Sequence, residues 1–458
     1  MKRALVLLAL AACSDTVHVE PAQGEVLLYV DTDAPLAVAP DAPDASTAPP
    51  PLFDRLSIEI FPPGATTPCA GCVNAFDVDT DLFRTAGASV GIAPTPGEDG
   101  WRARVRLFGV AHTFPDGSPD PAATIERVVA LPAVADTGKI AVTVVLATDD
   151  VGKTAPLDAP TAPDADGAPS PSAVGTWPGA TRVDCADAAP AGMVCVPGGA
   201  FWMGDEHRVF TSIPGHDGFV PRLVVLAPFF MDATEVTVAR FRAAGQTTLT
   251  WSGGSTGDRL TDFCTWTASP GPFEQRPLEC IRQLLARATC KASGGDLPTE
   301  AQYEYVLGAL VSHTFPWGED LPSCDDAIHG RTGWGIFAGD SAECITPAPP
   351  GGPTDVGRGR LDRLALAGGE IVDLAGNVAE WARDDWNRHD EPCWSGAGVL
   401  HDPVCHGVSA ADGAANAVRG GDWLVPGGEL QRVERASAPT STLTPEIGFR
   451  CVRKATPL

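Results

Sequence analysis

The chain has 458 residues, with 58 acidic and 32 basic side chains and a formal net charge of −26. Nucleic acid and anionic membrane both select for clustered Lys and Arg, so this balance excludes nucleic acid as a partner. The length leaves room for two or three domains.

Lys2 and Arg3 precede a short apolar run, Ala4 to Ala12, and then Cys13. A charged start followed by an apolar stretch too short to span a bilayer is the pattern of an export signal. Leu10, Ala11, Ala12 and Cys13 are similar to a bacterial lipobox, which would make residues 1 to 13 a lipoprotein signal and Cys13 the lipidated N-terminus. An ordinary secretory signal is the alternative. Either way the expected location is the cell envelope, on its periplasmic face or at the cell surface, with lipid chains holding the protein on a membrane without spanning it. Setting Cys13 aside leaves 12 of the 13 cysteines, an even number suited to pairing in an oxidising compartment. Local spacing favours Cys185 with Cys195, Cys324 with Cys344, and Cys393 with Cys405. Cys69 and Cys72 form a CAGC motif among prolines, which reads as a structural clasp rather than a redox centre.

Residues 24 to 150 read as strands: EVLLYV, RLSIEIF, WRARVRLFGV, IERVVAL and KIAVTVVL. Arg102, Arg104 and Arg106 alternate with Ala103, Val105 and Leu107, the period of two of a sheet with one wet face. Short strands broken by Gly, Pro and Asp turns predict a small all-β sandwich-like domain acting as spacer or docking module. Residues 151 to 182 are rich in Pro, Ala and Asp and predict an extended, mobile linker; the similar stretch 39 to 51 predicts a loop.

The third region, 183 to 458, carries the chemistry. PGGAFWMGDE predicts a tight turn feeding a strand, and MDATEVTVARF a strand passing into a helix with Val238, Phe241 and Arg242 on one side. In DLPTEAQYEY, Thr299 and Gln302 form a capping box. Glu300 and Glu304, one turn apart, resemble a catalytic pair but suit the first turn of a helix on dipole grounds alone. The stretch on which the region turns is IVDLAGNVAEWARDDW, Ile371 to Trp386, whose Gly, Asn and tryptophans suit a structured loop. Its carboxylates could converge on a hard cation. The alternative is a turn pinned by Asn377 with Trp381 as a core anchor.

These segments, together with FPWGED, AVRGGDW and IGFRCVR, occur in the order found in the formylglycine-generating enzyme (sulfatase-modifying factor) family, and over roughly 270 residues the region resembles that family. The resemblance implies an α+β, C-type-lectin-like formylglycine-generating-enzyme fold with little regular secondary structure. It implies structural Ca²⁺ on the Asp373 and Glu380 side chains and the Gly376 and Val378 carbonyls, with a second site somewhere in 325 to 345. Arg419, Asp422, Trp423 and Arg435 are the candidate lining of a binding pocket.

The departure from the family is chemical. Active members hold copper on two cysteines after the RGG motif, because Cu(I) needs soft thiolates. Here RGGDWLVPGGELQRVER places Val425 and Leu430 in those positions, with Asp422 where the family usually has serine. Copper is therefore not expected. A branch using iron would need a histidine cluster, and the 9 histidines are scattered, His329 among them. The expectation is a non-catalytic scaffold binding an envelope protein, a peptide or a glycan. A divergent formylglycine-generating oxidase or other enzyme of the family is the alternative.

Overall fold

The computed structural model describes residues 22–42, 48–205, 219–245, 263–331, 344, 352–388, 391–407 and 415–458. Cys13, part of the 39 to 51 stretch and most of 325 to 345 lie outside the described residues. The chain forms two compact units, the first ending at Thr181 and the second starting at Arg182, while the short stretches Pro221–Leu223 and Ala397–Val399 group with the first.

The first unit is built from β1 (Glu25–Thr32), β2 (Arg55–Phe61), β3 (Val73–Asp77), β4 (Ala88–Ile92), β5 (Arg102–Phe108), β6 (Ile125–Ala130), β7 (Lys139–Leu146) and β8 (Ala165–Asp166). They make two four-stranded sheets, β4-β1-β7-β8 and β3-β2-β5-β6, as the strand patterning predicts. Alternation on β5 sends Ala103, Val105 and Leu107 inward, while Arg104 and Arg106 pair with Glu59 and Glu126 on the wet face. β1 pairs with β7 in parallel, a connection that the patterning does not reveal.

The predicted linker is not a linker. β8 adds to the first sheet, Val174, Trp177 and Ala180 are buried, and Ser172 Oγ donates to Asp31 (2.6 Å). The Trp177 indole N–H also donates to Asp149 (2.9 Å). Composition averages over the stretch, whereas one tryptophan and a few carboxylate acceptors suffice to fasten it.

The second unit contains β9 (Met193–Val196), β10 (Gly199–Asp205), β11 (Phe219–Leu226), β12 (Phe229–Asp232), α1 (Val238–Ala243), α2 (Gln283–Ala292) and α3 (Glu300–Leu307). The C-terminal part adds β13 (Arg363–Leu366), β14 (Gly369–Val372), β15 (Ala379–Asp385), β16 (Leu400–His401), β17 (Ala415–Arg419), β18 (Arg435–Pro439), β19 (Ile447–Gly448) and β20 (Val452–Lys454). Among the described residues, short strands and three short α-helices are the α+β architecture expected, and the site rests on the sheet β18-β17-β15-β19. The capping box is present, with Thr299 and Gln302 each bonding the other's backbone. On α1, Val238 and Phe241 are buried and Arg242 stacks over Trp266 at 4.4 Å.

Part of the predicted Ile371–Trp386 loop is strand: Ala379–Asp385 is β15, paired with β17 and β19. Trp381 is fully buried and its N–H donates to Ile281 O (2.9 Å). Asn377 pins the preceding turn, accepting from Thr354 N (2.8 Å) and donating to Glu235 (3.2 Å). The turn pinned by Asn377 and the core anchor Trp381 are both present. Six disulfides pair every cysteine other than Cys13, including the three predicted by spacing and Cys69–Cys72. Among the described residues no helix is long and apolar enough to cross a membrane.

Candidate functional site

The RGG turn at the end of β17 sets the geometry. Gly420 sits at φ +99°, and a Cβ there would lie 2.5 Å from the Tyr303 hydroxyl oxygen and 3.0 Å from Leu374 O. Only glycine tolerates both the dihedral and the crowding. The turn separates two environments.

On the inner side lies a set of buried ion pairs. Glu304 receives Arg419 on one oxygen and Arg432 (2.6 Å) on the other, and Gly204 N also donates to it (2.7 Å). Glu300 receives both nitrogens of the Arg435 fork, whose guanidinium stacks over Trp386 at 4.4 Å. Asp384 accepts from Glu300 N (3.0 Å) and Cys405 N (2.7 Å), and burial with the Glu300 charge nearby raises its pKa to about 7. Arg419 and Arg435 are 1% and 3% exposed. They are internal counter-ions and line no pocket. Trp423 likewise is buried, its N–H donating to Pro445 O (3.1 Å) and its ring tilted against Phe263 at 5.1 Å. The sequence shows charge and aromaticity but not which face of the sheet each residue occupies. Glu300 and Glu304 exceed simple dipole complementarity, since both are spent on arginines.

Of the predicted pocket residues only Asp422 lies on the outer side. The residue keeps some exposure while its carboxyl is enclosed, accepting from Leu424 N (2.7 Å). Desolvation raises its pKa to about 7, with Glu429 adding repulsion. Glu446 is pushed to about 7 by burial and by Asp422, and burial raises Glu429. Arg331, whose N–H donates to Trp423 O (2.9 Å), is the neighbouring cation; desolvation and Arg276 disfavour its charge. Glu446, Glu429 and Arg331 were not legible beforehand, because an acid in a Thr-Pro-Glu turn or a Gly-Gly-Glu turn reads as solvated.

The segment after the turn has no thiol. Leu430 is fully buried in the main core, and Val425 packs against that core with its carbonyl accepting from Gly330 N (2.8 Å).

At the predicted calcium loop the residues fit only in part. Glu380 is fully buried and both its oxygens are gripped by Arg450 (2.8 and 2.9 Å), so its side chain is not available to a cation as expected. Arg450 also takes the Asp373 carbonyl (2.6 Å). Asp373 keeps one buried oxygen without a donor, as does Glu235; burial raises the pKa of both, and the Asp373 charge raises Glu235 further, whereas a hydrogen bond to Glu235 lowers Asp373. Val378 is buried against Trp423, and Gly376 crosses Ile328 with no room for a Cβ. The loop thus fits a hard cation at Asp373 and not at Glu380, and among the described residues no three acidic, histidine or cysteine side chains converge on one point.

An α+β domain of short strands, stapled by disulfides and centred on arginine–carboxylate pairs, is the class that fold and site define. Its family follows from comparison. The profile of the sulfatase-modifying factor enzyme 1-like domain matches residues 181–455, and the chain belongs to that family. It is 28% identical over 325 residues to a formylglycine-generating enzyme of Streptomyces coelicolor, covering 63% of this chain and 96% of that one. It is 25% identical over 302 residues to an inactive C-alpha-formylglycine-generating enzyme 2 of Bos taurus, covering 57% and 88%. Among solved structures, PvdO from Pseudomonas aeruginosa aligns with TM-score 0.40 and 21% identity over 57% of this chain and 94% of that one.

Proposed function

We propose that this protein is an exported lipoprotein, anchored through Cys13, whose family domain is a non-catalytic scaffold for an envelope protein, a peptide or a glycan. The observation that carries the reading is the pair Val425 and Leu430, with Leu430 fully buried in the core. Neither side chain can ligate Cu(I), which needs thiolates. That one relative is named as inactive supports the same reading.

Purified protein incubated with Cu(I), oxygen and a cysteine peptide should yield no formylglycine by mass spectrometry, and a competing chelator should retain the copper. Conversion of the peptide to formylglycine would overturn the scaffold. The second reading, an enzyme of the same family, is favoured by Asp422 and Glu446, two mutually repelling acids held near neutral pKa beside the turn. Groups poised there suit proton transfer. Calcium remains a proposal for Asp373 with the Gly376 and Val378 carbonyls, and no step is derived through it. Calorimetric titration of the chelated protein with Ca²⁺, against Asp373→Ala, tests it: heat lost in the variant supports the site, and equal heat in both removes it.

A further inference from the structure

The segment that follows the RGG turn has a neighbour that the scaffold reading does not use. Cys324 and Cys344 are joined by a disulfide, and the stretch Ile328–Arg331 between them is bonded to that segment. Gly330 N donates to Val425 O (2.8 Å), Arg331 N to Trp423 O (2.9 Å), and Cys344 N to Gly330 O (3.0 Å). The His329 imidazole is 2% exposed, and its ring nitrogens lie 3.6 and 3.8 Å from Cys344 Sγ. Gly427 makes room for the ring: a Cβ there would stand 3.0 Å from His329 Cε1. The two cysteines differ in access, Cys324 being exposed and Cys344 half-buried.

Thiol–disulfide exchange has two needs, an accessible sulfur for the incoming thiolate and a leaving sulfur whose negative charge is stabilised. Here the two needs fall on different atoms. Cys324 offers the access, and Cys344 has the buried imidazole beside it.

We infer that Cys324, Cys344 and His329 form a redox-active disulfide site that oxidises paired thiols of a polypeptide. A substrate thiolate bonds to Cys324 Sγ while the Cys324–Cys344 bond breaks. The bonding pair leaves on Cys344, whose sulfur lies against the His329 ring nitrogens, and the thiol is completed by a proton from solvent. The second substrate thiolate then attacks its partner's sulfur in the mixed disulfide and expels Cys324. Two substrate thiols thereby give up two electrons and two protons to become a disulfide, and the protein disulfide becomes two thiols. The protein's own disulfide is the oxidant for this round. The site goes beyond the scaffold role and does not depend on it.

The test exposes the full chain to reduced glutathione, traps thiols with iodoacetamide at timed intervals and maps each cysteine by mass spectrometry. Cys324 and Cys344 should be alkylated first, ahead of buried Cys290–Cys451 and ahead of Cys69–Cys72. A reduced dithiol peptide should be oxidised in one-to-one ratio with loss of that disulfide. His329→Gln should slow the exchange on the order of tenfold or more, with the unfolding midpoint unchanged. Reduction no earlier than at Cys69–Cys72, or an unaltered rate in a folded His329→Gln protein, would overturn the inference. Should that variant fail to fold, the order of reduction in the unmodified chain decides alone. Neither outcome bears on copper or on formylglycine, so the scaffold reading stands or falls separately.

Discussion

The two sides of the RGG turn treat buried charge in opposite ways. Inside, Glu300, Glu304 and Glu380 each meet an enclosed arginine that serves as counter-charge. Outside, burial raises the pKa of Asp422, Glu429 and Glu446, and Asp422 faces the repulsion of the other two. Burial of a charge is tolerable only when it is paired, and an acid that lacks a partner neutralises. The difference teaches that the buried arginines and glutamates of the inner side serve as framework here, while the acids beyond the turn are left without counter-ions among the described residues.

The largest effect should come from breaking the inner set. Glu304→Ala strands Arg419 and Arg432 without their carboxylate and should cost about 3 to 5 kcal/mol, read from urea unfolding of the full chain. A cost under about 1 kcal/mol would mean the pairs are not the framework. Next, Leu430→Ala should cost about 2 to 5 kcal/mol by leaving a core cavity. That would show the Leu430 position to be packing, and an unchanged midpoint would show it to be a surface.

The buried acids with raised pKa values give a pH signature. Glu279 is raised to about 8 and Asp384, Asp422 and Glu446 to about 7, each chiefly by desolvation. Because the folded values lie above the unfolded ones near 4, the native state binds more protons between pH 4 and 8. Stability should therefore fall as pH rises through that window. Thermal unfolding of the second unit should occur about 5 °C higher at pH 5.5 than at pH 8. Asp422→Asn together with Glu446→Gln should flatten that slope, whereas an unaltered slope would place its origin elsewhere. The smallest effect belongs to an exposed pair: Arg363→Ala on the β13–β14 hairpin should change stability by less than about 0.5 kcal/mol, because Arg363–Glu370 is solvated.

Much of the fold was legible in short-range pattern. The alternation on β5, the capping box of α3 and three disulfides at close spacing are local facts, and each is present as read. Cys264–Cys280 and Cys290–Cys451 were not legible, the latter spanning 161 residues, because distance along the chain gives no sign of distance in space. The linker reading failed for a related reason: Trp177 outweighs the prolines around it only because Asp149 and an apolar surface are there to receive it. Of the candidate site, Asp422 keeps some exposure, while Arg419, Trp423 and Arg435 turn inward.

By itself the sequence determined which side chains exist and in what order, and so it carried the family resemblance and placed Val425 and Leu430, with no thiol, after the RGG turn. Tertiary structure alone decided which charges meet. Arg450 lies 70 residues from Glu380 along the chain yet closes on both its oxygens, and His329 rests against Cys344, because electrostatics and packing act through space and not along the backbone.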